Sequence, residues 1–402
     1  MGSGRWQVDT RTSAGPPPVS SRSGKTLGRA TVTHPGCMLF PEIETPALLI
    51  EQQVLLHNIE MMQRLADRHG VTLRPHIKTH KSIQIARMQL TPGACGIAVA
   101  KLSEAETMVR GGIHNIQIAN QVVGASRVKR LLDLARLAQV SCSVDSPENV
   151  RELSEAFSTH GRTLSVLVEV DTGLHRCGLS DPEEIGKLCR LIDQCDGLQL
   201  AGIMTHAGHA YRASSAEEVA QIGRQEGEAM VNLAESLRRE GFHVEQVSVG
   251  STPTALHAAA VFGVTELRVG NYVFNDMIQV SLGVAAEDQC ALSVLATVTS
   301  LPTNDRVVLD AGSKSLTTEL GAHGNQRLTG FGKIIGTSAR ITRLSEEHGI
   351  IEGLDTRLRL GDRVRIIPNH ACATVNLYDY AYIVDGESVR QQVPIDARGC
   401  VT

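Results

Sequence analysis

Lys78 lies in the run Leu73-Arg74-Pro75-His76-Ile77-Lys78-Thr79-His80-Lys81. The run opens as a β-like stretch. A lysine at the carboxyl end of a barrel strand is where a Schiff-base amine is expected. Taken singly, such a lysine is more often a surface cap on a strand. Lys101 also follows a strand and is the main rival on geometry, with Lys81 and Lys314 as further competing amines. A second group is Gly250-Ser251-Thr252-Pro253-Thr254. Glycine lets a ligand approach the backbone, Ser or Thr suits a helix N-cap, and Pro253 suits the first helical turn. Exposed N–H groups and the helix dipole would then bind an anion. Gly270-Asn271 supplies another such pair, and the loops after strands seven and eight are where barrels often hold a phosphate. A capped helix start without any ligand is the plain alternative.

The third group is Pro368-Asn369-His370-Ala371-Cys372. On an extended segment, residues i and i+2 point to the same side. An imidazole and a thiolate suit zinc, and two protein ligands leave room for water or substrate. A half-buried histidine beside a core cysteine is the alternative. His206 and His209 read as polar lining of a barrel mouth. Glu347-His348 receives no role.

Eight strand-like runs must position these groups: 73–78, 96–100, 116–120, 141–144, 164–170, 200–206, 246–250 and 266–270. Most are apolar on consecutive positions, the pattern of parallel strands buried on both faces. Amphipathic helical stretches lie between them, for example 103–111, 127–138, 147–160 and 216–240. An earlier strand at 47–50 leads into a helical stretch over about 51–69. Eight βα units predict an α/β fold, a (β/α)₈ TIM-type barrel over residues 35–286. From 287 to 402 helical periodicity fades. Short β-like runs appear at 292–298, 306–309, 339–344, 362–367 and 380–384, predicting a C-terminal β domain that carries the metal ligands. Polar groups gather at the strands' carboxyl ends: Lys78, Asp145, the run Asp171 to Arg176, His206, Tyr211, Ser251 and Asn271.

The chain has 402 residues, with 42% hydrophobic and 20% charged residues, ordinary for a globular protein. A net charge of −4 and an aromatic content of 3% argue against nucleic acid or membrane partners. No apolar run approaches the roughly 20 residues that span a bilayer. Nine cysteines without CxxC pairs predict reduced thiols and a cytoplasmic location. Residues 1–34, rich in Ser, Gly, Thr and Pro, predict a disordered tail, with an organelle-targeting peptide as the alternative.

With these residues in view, the chain resembles the fold-type III pyridoxal phosphate (PLP) enzymes, which have an alanine-racemase-like barrel and a C-terminal β domain. Within them it is similar to the D-serine dehydratase / D-threonine aldolase family. The resemblance covers about Glu44 to the C-terminus. It is carried by the runs 74–81, Ile118-Ala119-Asn120-Gln121, Asp171-Thr172-Gly173-Leu174-His175-Arg176, 250–254 and 368–372. It implies that Lys78 is the Schiff-base lysine and catalytic residue. It implies Arg176 near the cofactor's phenolic oxygen, Tyr211 at its pyridine nitrogen, and Gly250, Ser251, Thr252, Gly270 and Asn271 at its phosphate. His370 and Cys372 would bind a divalent metal, zinc above manganese or magnesium, and the protein would be a homodimer.

Two reactions on a β-hydroxy D-amino acid follow from the resemblance. β-Elimination gives a keto acid and ammonia, and retro-aldol cleavage gives glycine and an aldehyde. The His-x-Cys spelling and the Gly-Ser-Thr-Pro-Thr loop resemble the dehydratase branch, since the aldolases more often place aspartate at the second metal position. D-Serine, D-threonine and 3-hydroxy-D-aspartate are the candidate substrates. A non-catalytic PLP-binding protein is the reading from another class, and the metal pair in the β domain argues against it.

Overall fold

The computed structural model describes residues 39–325, 327–353 and 358–402. The tail expected over 1–34 lies outside the described residues. Eight parallel strands form one sheet: β2 (Thr72–Leu73), β3 (Ile97–Val99), β4 (Asn115–Gln121), β5 (Gln139–Val144), β6 (Leu164–Glu169), β7 (Leu198–Met204), β8 (Gln246–Val249) and β9 (Glu266–Leu267), which follow the strand β1 (Ala47–Glu51). They pair in the order β2-β9-β8-β7-β6-β5-β4-β3. The ring closes where the chain just beyond β2 meets β3. Leu73 O accepts the N–H of Cys95 at 2.9 Å, and Pro75 O accepts that of Ala98 at 2.8 Å. Every expected barrel strand is present, and helices such as Gln52–His69, Ala125–Ala135, Pro147–Thr159 and Ala216–Arg239 wrap the outside. The apolar strand runs explain the arrangement. Ile97, Ala98 and Val99 are all fully buried, as is the run Val166-Leu167-Val168.

Nine strands form the second sheet. They are β1, β10 (Leu292–Thr303), β11 (Arg306–Leu309), β12 (Lys333–Ile334), β13 (Arg343–Leu344), β14 (Gly349–Glu352), β15 (Arg363–Ile367), β16 (Tyr380–Asp385) and β17 (Ser388–Pro394). All pairs are antiparallel except β1 with β16. One strand differs from expectation. The segment 47–51, inside the span 35–286 assigned to the barrel, instead lies between β10 and β16. Ala47 pairs with Leu295 and Leu49 with Tyr382. Its side chains are apolar on successive positions, so it is buried on both faces like a central strand. Leu48 and Ile50 join the cluster of Leu292, Val294, Ile366 and Ile383, while Leu49 packs with Phe40 and Leu295.

Candidate active site

Lys78 stands in a single 3₁₀ turn, Ile77–Thr79, at the carboxyl end of β2. Its N–H donates to Nδ1 of His76 at 3.4 Å. The residue as a whole is half-buried. Burial lowers its pKa, Arg176 and Arg268 lower it further, and Cys372 and Glu104 act the other way. A depressed amine pKa raises the neutral, nucleophilic fraction that a Schiff base needs.

Two of the rival lysines, Lys81 and Lys314, have their amines engaged. Lys81 is buried, with Nζ 3.4 Å from Glu104 and 2.9 Å from Asn376 Oδ1. Lys314 is exposed and paired with Glu346 and Glu347, which accounts for the acid of the unassigned Glu347-His348 pair. Lys101 occupies the N-cap of helix Leu102–Arg110.

The spacing predicts an extended segment at 370–372, but the chain turns helical there. His370 is the N-cap of a short helix, Ala371–Val375, and Cys372 lies in its first turn. The bend has a visible cause. Asp276, fully buried, accepts the N–H of Ala371 at 2.8 Å and Nδ2 of Asn271 at 2.6 Å. His370 and Cys372 still touch. Burial opposes charge on both, yet His370 is held well above its ordinary pKa by Cys372, Glu319 and Asp276, and Cys372 below its own by His370, Thr79 and Lys78. Each group thus favours the charged form of the other, and a lowered thiol pKa eases formation of the thiolate that a metal would take. Glu319 Oε2 lies 2.8 Å from His370 Nδ1. A carboxylate there fixes the ring and leaves Nε2 as the ligand atom. Among the described residues no group of three or more His, Cys, Asp and Glu side chains is placed to hold a metal. An imidazole and a thiol side by side are donor types that suit zinc, and two protein ligands would leave positions for water or substrate.

The loop at 250–254 also departs from expectation. The helix after it, Ala255–Ala258, has only four residues, and its N-cap is Thr254, not Ser251 or Thr252. Pro253 precedes the helix. An anion here would meet loop N–H and hydroxyl groups, without the dipole of a long helix. The loop is organised by a residue the motif did not reveal. Glu226, buried on helix Ala216–Arg239, accepts the N–H groups of Gly250 at 2.8 Å and Ala207 at 3.3 Å, and the Thr254 hydroxyl at 2.8 Å. Close approach is allowed by Gly223 and Gly227. A Cβ on Gly223 would sit 2.9 Å from His257, and one on Gly227 would sit 2.7 Å from Val261. Ser251 is buried and lies 3.1 Å from Thr254 Oγ1, and Thr252 Oγ1 accepts the N–H of Tyr272 at 3.1 Å. Gly270 must be glycine, because a Cβ would sit 2.8 Å from His76 O and 3.0 Å from Thr79 Oγ1.

Tyr211 is buried. Its hydroxyl accepts from Gln279 Nε2 at 3.4 Å, and burial pushes its pKa up. His206 lines the same region as expected, with Nδ1 3.2 Å from Gly250 O and Nε2 buried without a partner. Burial, Lys78 and Arg176 keep it neutral. His209 packs on Gly173, where a Cβ would lie 3.2 Å from its ring. Asp171 Oδ1 accepts the N–H groups of Gly173 and His175, shaping the turn that leads to Arg176. Arg176 is half-exposed and 3.9 Å from Glu169.

His323 was not anticipated. It comes from the turn Ala322–Gly324, and its ring lies 5.4 Å from Tyr211 and 5.9 Å from His206.

The set fits PLP on the structure's own terms. A depressed amine faces cations at Arg176 and Arg268. Buried polar atoms of His206, Asn271 and Gln279 lack partners. A glycine stands where any side chain would collide.

Comparison with known proteins identifies the family and agrees with the fold. Residues 50–277 match the model of the alanine racemase N-terminal domain, and 291–384 match a putative serine dehydratase domain. A D-threonine aldolase of Arthrobacter sp is 36% identical over 89% of this chain and 93% of its own length. The D-threo-3-hydroxyaspartate dehydratase of Delftia sp. (strain HT23) is 36% identical over 83% of this chain and 92% of its own. A solved D-threo-3-hydroxyaspartate dehydratase structure, a cysteine-to-alanine variant described as the metal-free form, superimposes with a TM-score of 0.83. It is 34% identical and covers 88% of this chain and 97% of its own. The chain belongs to the D-serine dehydratase / D-threonine aldolase family of alanine-racemase-like enzymes.

Proposed function

We propose that this chain is a PLP- and metal-dependent lyase of β-hydroxy D-amino acids, of the dehydratase type, releasing a keto acid and ammonia. The observation that carries this is the convergence of Lys78, on the barrel, with the His370–Cys372 pair, on the second sheet's unit. Lys78 would hold the cofactor. Arg176 would face its phenolic oxygen and Tyr211 its pyridine nitrogen, with Gly250, Ser251, Thr252, Gly270 and Asn271 around its phosphate. Bound there, PLP supplies an electron sink for charge at the substrate's α-carbon, and a metal supplies a Lewis acid. Lys78 takes the α-proton. His370 and Cys372 would hold the metal, with Glu319 orienting His370. Cys372 favours zinc over manganese or magnesium.

An aldolase activity is the second reading, favoured by the D-threonine aldolase relative. The described cysteines are all free thiols, which supports a cytoplasmic setting. Among the described residues no helix is long and apolar enough to cross a membrane. A homodimer is proposed on the family resemblance, to be checked by light scattering.

The test is product analysis with D-serine, D-threonine and 3-hydroxy-D-aspartate, with and without chelator. Keto acid plus ammonia, lost on chelation and absent in Lys78→Ala, is expected. Glycine plus an aldehyde would replace the dehydratase assignment with the aldolase one. Turnover by Lys78→Ala would sink the lysine's role.

A further inference from the structure

The turn Ala322–Gly324 belongs to the segment between β11 and β12, yet it docks on the barrel loop after β7. Two arginines fix it there. Arg212 Nε donates to His323 O at 2.7 Å, and Arg327 Nη1 donates to Ser214 O at 2.8 Å. His323 itself has φ of +51°. A left-handed backbone is unusual for a residue with a side chain and is often retained where a group must be aimed. The imidazole packs against Tyr211 and His206, and it is only half-buried. Lys78, Arg176, His370 and Arg212 all bear on it electrostatically, and burial with these charges holds its pKa down at about 4. Among the described residues its only hydrogen bond is through its carbonyl. The ring is thus a neutral hydrogen-bonding group packed beside Tyr211 and His206, within electrostatic reach of Lys78 and His370.

A neutral imidazole is a poor partner for a carboxylate or a phosphate, which Arg176 and the 250–254 loop suit better. It suits a hydroxyl, to which it can donate or from which it can accept. We propose that His323 is a substrate-positioning residue whose imidazole hydrogen-bonds the β-hydroxyl of the bound amino acid. The proposal rests on the PLP-lyase reading and adds a second contact to the hydroxyl that the metal engages.

The test compares D-serine with D-alanine, which lacks the hydroxyl. Each is titrated into PLP-loaded enzyme and followed by the cofactor's absorbance. His323→Gly removes the side chain, and glycine accepts the left-handed backbone without strain. It is expected to weaken D-serine binding about tenfold, the loss of one hydrogen bond, and to leave D-alanine within about twofold. His323→Ala should show the same selectivity, which guards against a defect peculiar to the glycine variant. Equal weakening of both ligands would mean a merely structural role and would overturn the proposal, as would no change in either. Should wild-type enzyme give no spectral response to either amino acid, the PLP-lyase reading itself falls, and the proposal with it.

Discussion

Cys372 Sγ lies 3.2 Å from Thr79 Oγ1, one residue beyond Lys78. The helix that carries the metal pair is thereby hydrogen-bonded to the turn that carries the amine. The Thr79 hydroxyl can donate to a thiolate, and Lys78 lowers the same sulfur's pKa. One contact thus ties the turn bearing the amine to the helix bearing the proposed metal ligands.

Replacing Cys372 by serine should therefore remove metal and retain PLP. Serine keeps the approximate size but gives up the soft thiolate. Metal content by mass spectrometry should fall at least tenfold, and turnover should fall to that of chelated wild type. Full metal retention in Cys372→Ser would argue against the ligand assignment.

Gly270→Ala tests the close approach of Gly270 to the turn bearing Lys78, where the phosphate is proposed to bind. The new methyl would meet His76 O at 2.8 Å and Thr79 Oγ1 at 3.0 Å, so the turn bearing Lys78 must shift. PLP affinity, measured by fluorescence quenching, should drop more than about tenfold because misplacement by even an ångström is costly. An unchanged affinity would show that the turn yields without consequence.

Glu226→Leu leaves the N–H groups of Gly250 and Ala207 and the Thr254 hydroxyl without their acceptor. Stranding buried donors costs about 1–3 kcal/mol each at most, so urea denaturation should show a loss of a few kcal/mol. Glu226→Gln keeps an acceptor oxygen and should lose much less. Equal effects of the two variants would contradict this account of the loop.

His80 links stability to pH. It is fully buried between the N–H of Ser82 and the amide of Gln89, and burial lowers its pKa to about 4. An unfolded histidine protonates near pH 6.5, so the unfolded state binds the proton first as pH falls. The contribution is complete above about 6.5 and is lost between about 6.5 and 4, by at most about 3 kcal/mol. The difference in stability between wild type and His80→Gln should change across that window, and a flat difference would refute it.

The barrel was legible because its signal is local. Each strand is a short apolar run, and a parallel strand needs no partner pattern to be recognised. Lys78, Gly250 and Gly270 were legible for the same reason, since a motif places them at strand ends. Other features depend on distant contacts. The bend at 371 follows from Asp276, 95 residues away along the chain. Glu226 looks like any acid on an amphipathic helix, though its flanking glycines at 223 and 227 were a readable hint of close packing. His323 sits in a turn without hydrophobic periodicity, and only its docking on Tyr211 and His206 gives it meaning. The position of β1 was likewise hidden, because an apolar run does not say which sheet it joins.

That strand has a consequence for how the molecule is made. β1 is the first described strand to leave the ribosome, but its neighbours β10 and β16 begin at residues 292 and 380. One edge lacks its partner until residue 303 and the other until residue 385 of 402. The second sheet is therefore stitched across the barrel, and a fragment ending after the last barrel strand would carry an orphan apolar strand, open to pairing with other chains. Dissecting the protein for study calls for moving Ala47–Glu51 with the C-terminal part, not cutting once between the two sheets.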